Sequence, residues 1–340
     1  MPTLRSHPVA ALAAACSTTP AGRTTPAQAG AASPLTTGTV LVANQQSGSA
    51  SIIDVGSGSS RRVEVGTGPH ETAIAPDGRL GVVTVYGAQQ PGNRLAVIDL
   101  RAGALVRHVE LGTFTRPHGV MFLPGAPTKV VVTSEATRRI VIADIVSGAV
   151  EADIATEAGG SHMVGVTADG TRAWTANVQS GSISELDLQK RAFVRQIPVA
   201  SQTEGVAVRP DGAEVWVGSN DRGTVSVVDT RSGTIVATIE GLGMPYRIGI
   251  SPDGTLAAVC DPQGGRVHVI DVATRRLLGS FEGLGSPRGV FVGPDNRTGY
   301  VTLNADRTVA VVDLRERKVL STAPVEASPD GVSFTAVVNR

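Results

Sequence analysis

From about residue 39 onward, short apolar runs alternate with polar turns, and within each run the apolar positions recur every second residue. Val215-Trp216-Val217 and Val225-Ser226-Val227-Val228-Asp229 are examples. Alternate residues of a β-strand share one face, so these runs predict strands, and no window carries helical spacing. One strand-and-turn unit recurs seven times and ends each time in Asp: Asp54, Asp99, Asp144, Asp187, Asp229, Asp271 and Asp313, at steps of 45, 45, 43, 42, 42 and 42 residues. Between them lie turns such as Pro76-Asp77-Gly78, Ala168-Asp169-Gly170, Pro210-Asp211-Gly212 and Pro252-Asp253-Gly254, whose residues preset tight reversals. Four strands per unit, seven times over, predict an all-β, seven-bladed β-propeller, in which radial repetition leaves only short protected sheet edges. The first repeat begins at its second strand, Thr39 to Val42, and the chain ends on a first-type strand, Val332 to Thr335, so the two ends are expected to complete one blade. Blade three departs from the turn pattern with Pro124-Gly125-Ala126-Pro127. Blade two carries a longer second loop, Tyr86 to Asn93, expected to cover one face.

Composition narrows the function. Thirty basic residues balance thirty acidic ones, aromatics are 3% of the chain, and the only lysines are Lys129, Lys190 and Lys318. Neither the basic field nor the stacking platform of a nucleic-acid binder is present, and no nucleic-acid partner is expected. The pairs Arg61-Arg62, Arg138-Arg139 and Arg275-Arg276 read as solvated turn charges.

Residues 1–16, MPTLRSHPVAALAAAC, place a short apolar run before Cys16, and a Ser/Thr/Pro/Ala-rich stretch follows. This resembles a bacterial lipoprotein signal, with Ala13 where Leu is usual. It implies export to the periplasm or cell exterior, a lipid anchor at Cys16 as the only membrane contact, a flexible tether over 17–35 and a propeller over 36–340. Cys260 is then the one thiol of the folded body and reads as a small buried hydrophobe, with no disulfide expected.

The segments Val40-Leu41-Val42-Ala43-Asn44, Trp174-Thr175-Ala176-Asn177, Trp216-Val217-Gly218-Ser219-Asn220 and Tyr300-Val301-Thr302-Leu303-Asn304 each precede a strand ending in Asp. In this the chain resembles the YVTN-type β-propeller repeat proteins of bacteria and archaea. The resemblance implies the fold over about residues 36–340. It leaves function open, since members include surface proteins, binding proteins and relatives of lactonases and lyases.

Candidate chemistry comes from repeat phase. The first strand of each blade lines the propeller axis, so the residue just before it stands at the mouth of the central channel. These residues are His70, His118, His162, Glu204, Tyr246, Arg288 and Asp330, the last four steps being 42 each. All are polar or ionisable, and three of the chain's six His occupy consecutive blades. His70, His118, His162 and Glu204 together form a candidate site for a divalent metal ion (Zn, Cu, Fe or Mn), with positions left open toward the axis. Glu135 reads as an exposed loop carboxylate, or as a further ligand or hydrogen-bond partner of a His. Opposite stand Tyr246, Arg288 and Asp330, with Arg247 beside them; Arg suits a carboxylate or phosphate, and Glu204, Tyr246 or Asp330 could move or orient a proton. The resulting expectation is a monomeric, metal-dependent enzyme acting on a small polar or anionic molecule by hydrolysis, lactone ring opening or elimination. The alternative is a non-catalytic ligand- or protein-binding scaffold. In that case the His are plain repeat chemistry, and Arg288 pairs with Asp330 and Glu204 as a polar plug. No nucleophile elbow or phosphate loop occurs, and Gly56-Ser57-Gly58 reads as a hairpin turn.

Overall fold

Each alternating run becomes a strand, and the second and third strands of each blade are covered on both faces because neighbouring sheets pack against them on either side, while the outermost strand stays largely exposed. The computed structural model describes Met1 and residues 33–339, and its 28 strands form seven four-stranded antiparallel sheets, with no helix among the described residues. The domain is a seven-bladed β-propeller. The leader and Cys16 lie outside the described residues. Among the described residues no helix is long and apolar enough to cross a membrane.

Ring closure uses both ends of the chain. Blade one contains Pro329–Thr335, Thr39–Asn44, Ser49–Asp54 and Ser60–Glu64, with Val40 opposite Phe334 and Leu41 opposite Ser333. The ladder thus joins the termini and leaves no open edge in the ring. The contact begins slightly before the strands, since the Leu35 amide donates to Thr298 Oγ1 at 2.7 Å.

The core lies between blades. Val82, Leu95 and Val97 of blade two pack with Val130, Val132 and Val141 of blade three, and Trp174 of blade four packs with Val215 and Val217 of blade five. The recurring Asp is a turn residue. Asp313 Oδ1 accepts from the amides of Arg315 and Glu316 at 3.0 and 3.1 Å, and Asp271 Oδ1 accepts from Thr274 at 2.7 Å. This stabilises the third hairpin of each blade.

Two expectations change. The arginine pairs are not simply solvated: Arg61 Nη2 donates to Leu100 O of the next blade at 2.6 Å, Arg275 reaches Glu214 of the preceding blade at 2.6 Å, and Arg139 pairs with Asp153. The long loop of blade two is instead a lengthened hairpin, Leu80–Gly87 and Pro91–Asp99, because its residues continue the ladder. In blade three Leu123 pairs with Ala126, so Pro124 and Gly125 make the reversal. Cys260 is fully buried, and burial pushes its thiol pKa well up, as for an inert core residue.

Candidate functional site at the channel mouth

One backbone device, repeated in six blades, builds the mouth. Gly68, Arg116, Gly160, Gln202, Ser286 and Ser328, each two residues before a ring position, adopt left-handed φ between 49° and 71°. The next residue pairs with the end of the second strand, and the ladder then skips two residues: between Pro69 and Thr72, Pro117 and Val120, Ser161 and Val164, Thr203 and Val206, and Pro287 and Val290. Such a bulge re-aims side chains away from the sheet. Non-glycine left-handed residues cost roughly 1–2 kcal/mol each, and here Arg116, Gln202, Ser286 and Ser328 all carry that strain at one rim. The freed amides are not orphaned. Thr133 Oγ1 accepts from Gly119 N at 2.8 Å and donates to His162 O at 2.7 Å; Thr302 Oγ1 accepts from Gly289 N and donates to Asp330 O, both at 2.7 Å. Each threonine thereby ties one ring position to the next.

Two residues leave the ladder per blade, so a second ring lies beside the one read from the repeat: Glu71, Gly119, Met163, Gly205, Arg247, Gly289 and Gly331. Glycine at four of these leaves room for Arg247 of blade six to reach Glu71 of blade two. Arg247, 4% exposed, donates from Nε and Nη2 to Glu71 Oε1 at 3.0 and 2.8 Å and from Nη1 to Glu204 Oε1 at 2.7 Å. This is the polar plug, made by Arg247 and not by Arg288. The residue type and phase could have exposed it, since Glu71 and Arg247 are the only charged members of that second ring.

Glu204 joins the plug to the imidazoles. Its Oε1 also meets His162 Nε2 at 2.8 Å, and His162 Nδ1 meets Glu135 Oε2 at 2.9 Å. Both ring nitrogens face carboxylates, so both carry protons. Burial works against that charge, but Glu204 and Glu135 outweigh it and raise the His162 pKa to about 9. Burial likewise opposes the Glu204 charge, but His162 and Arg247 lower its pKa to about 2. His118 stacks on His162 with ring centroids 3.6 Å apart and planes at 31°. Burial, then the neighbouring charge of His162, hold His118 well below the usual imidazole range, and its Nδ1 is buried without a partner.

His70 packs on the other side of His118, with ring centroids 4.6 Å apart, and has its own carboxylate partner. Its Nδ1 donates to Asp330 Oδ2 at 3.1 Å, and its Nε2 accepts from Gln45 Nε2 at 2.9 Å. The amide orientation follows from Ser328 Oγ donating to Gln45 Oε1. Burial pushes Asp330 up, but the His70 hydrogen bond and the Arg247 charge outweigh it and keep its pKa below the ordinary value. Tyr86 packs on the His70 ring at 4.6 Å between centroids and carries the Arg116 guanidinium 4.7 Å above its own ring. Across the mouth, Tyr246 is flanked by Arg247 and Arg288, whose guanidinium carbons lie 4.3 and 5.9 Å from its ring centre. Burial, then the Asp330 charge, pushes the Tyr246 phenol pKa well up, so it stays protonated.

All seven predicted residues therefore stand at one mouth, with the three imidazoles packed in one run. Their arrangement does not fit a metal ion as it stands. Among the described residues no group of three or more His, Cys, Asp or Glu is disposed to hold one, because the nitrogens of His70 and His162 are engaged and the His118 and His162 rings stack.

The fold and site together define a seven-bladed propeller with a polar, charge-bridged hub. No protein-family model matches the chain, and no curated protein matches it in sequence. Among solved structures it is similar to the hydrazine synthase of Kuenenia stuttgartiensis, with a TM-score of 0.73 and 18% identity, covering 81% of this chain and 92% of that one. The likeness is one of propeller fold.

Proposed function

We propose that this chain is an exported, monomeric, YVTN-type propeller that binds a small, oxygen-rich anionic molecule at the channel mouth. There it would act by acid–base chemistry: hydrolysis, lactone ring opening or elimination. One observation carries the reading. Arg288 holds a ring position yet makes no hydrogen bond or ion pair among the described residues, so its guanidinium is available to an anion beside the His70–Asp330 pair. In this reading Arg288 takes the carboxylate of the ligand. His70 Nε2, on exchanging Gln45 for the ligand, accepts a proton while Asp330 holds the Nδ1 proton, and the neutral Tyr246 phenol donates one. The leader ending in Cys16 supports export and anchoring.

The test is a turnover and binding screen of lactones, esters and hydroxy-carboxylates against the wild-type chain, Arg288→Ala and His70→Ala. Turnover that falls at least ~100-fold in His70→Ala, with KM raised in Arg288→Ala, is expected. Binding without turnover would make the protein a ligand-binding scaffold, and neither binding nor turnover would overturn the reading.

A second reading, a divalent metal at His118, His162, His70 and Glu204, is favoured by the unpartnered His118 Nδ1. It requires Glu204 and Glu135 to give up His162. Elemental analysis of chelator-free protein beside His118→Ala tests it: near-stoichiometric Zn, Cu, Fe or Mn, lost in the variant, supports it, and protein that takes up none on titration sinks it.

A further inference from the structure

Below the plug the channel changes character. The residues two beyond each ring position are Thr72, Val120, Val164, Val206, Ile248, Val290 and Val332, a collar of β-branched side chains contributed by all seven blades. All seven line one cavity of about 320 Å³, together with Met121, Met163 and Phe291. At its inner end are Glu71 and Arg247; at its outer end is Pro252, from a turn between first and second strands, so it opens on the face opposite the mouth. Between Thr72 and the charged inner end the walls are mostly apolar side chains, and apolar occupants of such a collar are favoured by the area they remove from water. A cavity of this size is at the lower end of small-molecule sites, whose orientation is usually set by one or two polar groups.

One polar group is placed to do that. Glu71 is 7% exposed, and both contacts it takes from Arg247 fall on Oε1. Its Oε2 has no hydrogen-bond partner among the described residues, while the residue itself lines the cavity. Arg247, by contrast, directs four hydrogen bonds to Glu71, Glu204 and its neighbour's carbonyl and keeps one Nη2 hydrogen. The inner end therefore offers an unengaged carboxylate oxygen beside a guanidinium largely committed to carboxylates.

We propose that the channel is a second binding site, separate from the mouth, for a compact apolar molecule bearing one hydrogen-bond donor, a hydroxyl or an ammonium group, which Glu71 Oε2 accepts. Anionic heads are disfavoured, since Glu71 and Glu204 set two negative charges against the one positive charge of Arg247. The mouth and channel sites would then lie on opposite sides of the Glu71–Arg247–Glu204 bridge and select for opposite chemistry.

The chain's four methionines make the test direct: Met121 and Met163 line the channel, whereas Met244 lies two residues before Tyr246 on the mouth side. The full chain, labelled at the methionine methyls, is titrated by NMR with cyclohexylmethanol, cyclohexylmethylamine and cyclohexanecarboxylate. Expected is saturable shifting of Met121 and Met163 by the alcohol, the amine or both, which shows which head is taken, with no saturable shift from the carboxylate. Val206→Phe, which fills the collar, should weaken binding at least 10-fold. If that variant does not fold, the wild-type methyl shifts decide alone. Shifts confined to Met244, equal binding of the carboxylate, undiminished binding to folded Val206→Phe, or no saturable shift at all would overturn the proposal.

Discussion

The ring at the mouth and the collar beneath it occupy the same strands, two residues apart, yet obey opposite rules. At the collar the seven blades agree, with six Val or Ile and one Thr. At the ring they supply His, His, His, Glu, Tyr, Arg and Asp. Collar residues are back in the ladder, where a β-branched side chain packs against its neighbours and every blade faces the same demand. Ring residues sit on bulges, off the ladder, so the repeat fixes where each side chain starts and leaves its chemistry free. A propeller built this way carries its stability in what repeats and its function in what does not.

The bridge between the two regions is where that division is most exposed to test. Arg247→Met should leave Glu71 buried without its charged partner and Glu204 with His162 alone, and the expected loss in urea denaturation is about 3–5 kcal/mol, the largest of any single mouth substitution. Adding Glu71→Gln to it should restore much of that loss, since the penalty lies in the unpaired charge. A loss under about 1 kcal/mol for the single variant would mean the bridge belongs to the ring's variable chemistry and not to the scaffold.

His162 gives the next effect, and its sign is fixed by the direction of its shift. Its pKa is raised to about 9 from an ordinary 6.5, so the stabilisation is fully present below about pH 6.5 and is lost as pH rises through 9. The whole effect is on the order of 3 kcal/mol. Denaturation midpoints of wild type and His162→Gln should therefore differ most near pH 6 and converge above pH 9. Imidazole NMR should find His162 titrating near 9 and His118 not protonating until well below the usual range. A flat difference across that window would break the reading of His162 as the charged partner of Glu204.

How much of this was legible in the chain differs between the same two regions. The blades, the closure by Val332 to Thr335 and the seven ring positions follow from the repeat, because steps of 42 residues carry phase from His162 to Asp330 and the matching turns Gly68-Pro69-His70 and Arg116-Pro117-His118 extend it to the two longer blades. The Arg247–Glu71 bridge did not follow. Phase assigns one residue per blade to the mouth, whereas the bulge delivers two, and that bulge is fixed by left-handed backbone at Arg116, Gln202, Ser286 and Ser328, residue types that do not advertise it. The stacking of His118 on His162 was hidden for another reason. Three His at one rim can converge or stack, and rotamers choose between the two, which here depends on Glu135 reaching His162 from the end of the neighbouring strand.

A smaller effect separates the two kinds of aspartate. Asp313 is a repeat residue that accepts from two turn amides and from Arg297, and Asp313→Ala should cost about 2 kcal/mol without touching ligand binding. Thermal and urea denaturation of the variant, alongside its ligand titration, checks both halves; an effect on binding would show that turn geometry is transmitted to the mouth.

Arg288→Ala should have the smallest effect on stability and is the sharpest test of the contrast. Its guanidinium makes no ion pair among the described residues and leans on Tyr246 from 5.9 Å, so little native interaction is removed and the stability change should lie within about 0.5 kcal/mol. The same substitution should weaken binding of a hydroxy-carboxylate at the mouth by roughly 10-fold or more, the worth of one charge-assisted contact. Isothermal titration beside a denaturation curve reads both. A residue that costs nothing to the fold and most of the affinity belongs to the ring's free chemistry. If Arg288→Ala instead destabilises the protein by several kcal/mol, the ring is scaffold after all, and the mouth is closed by its own charges.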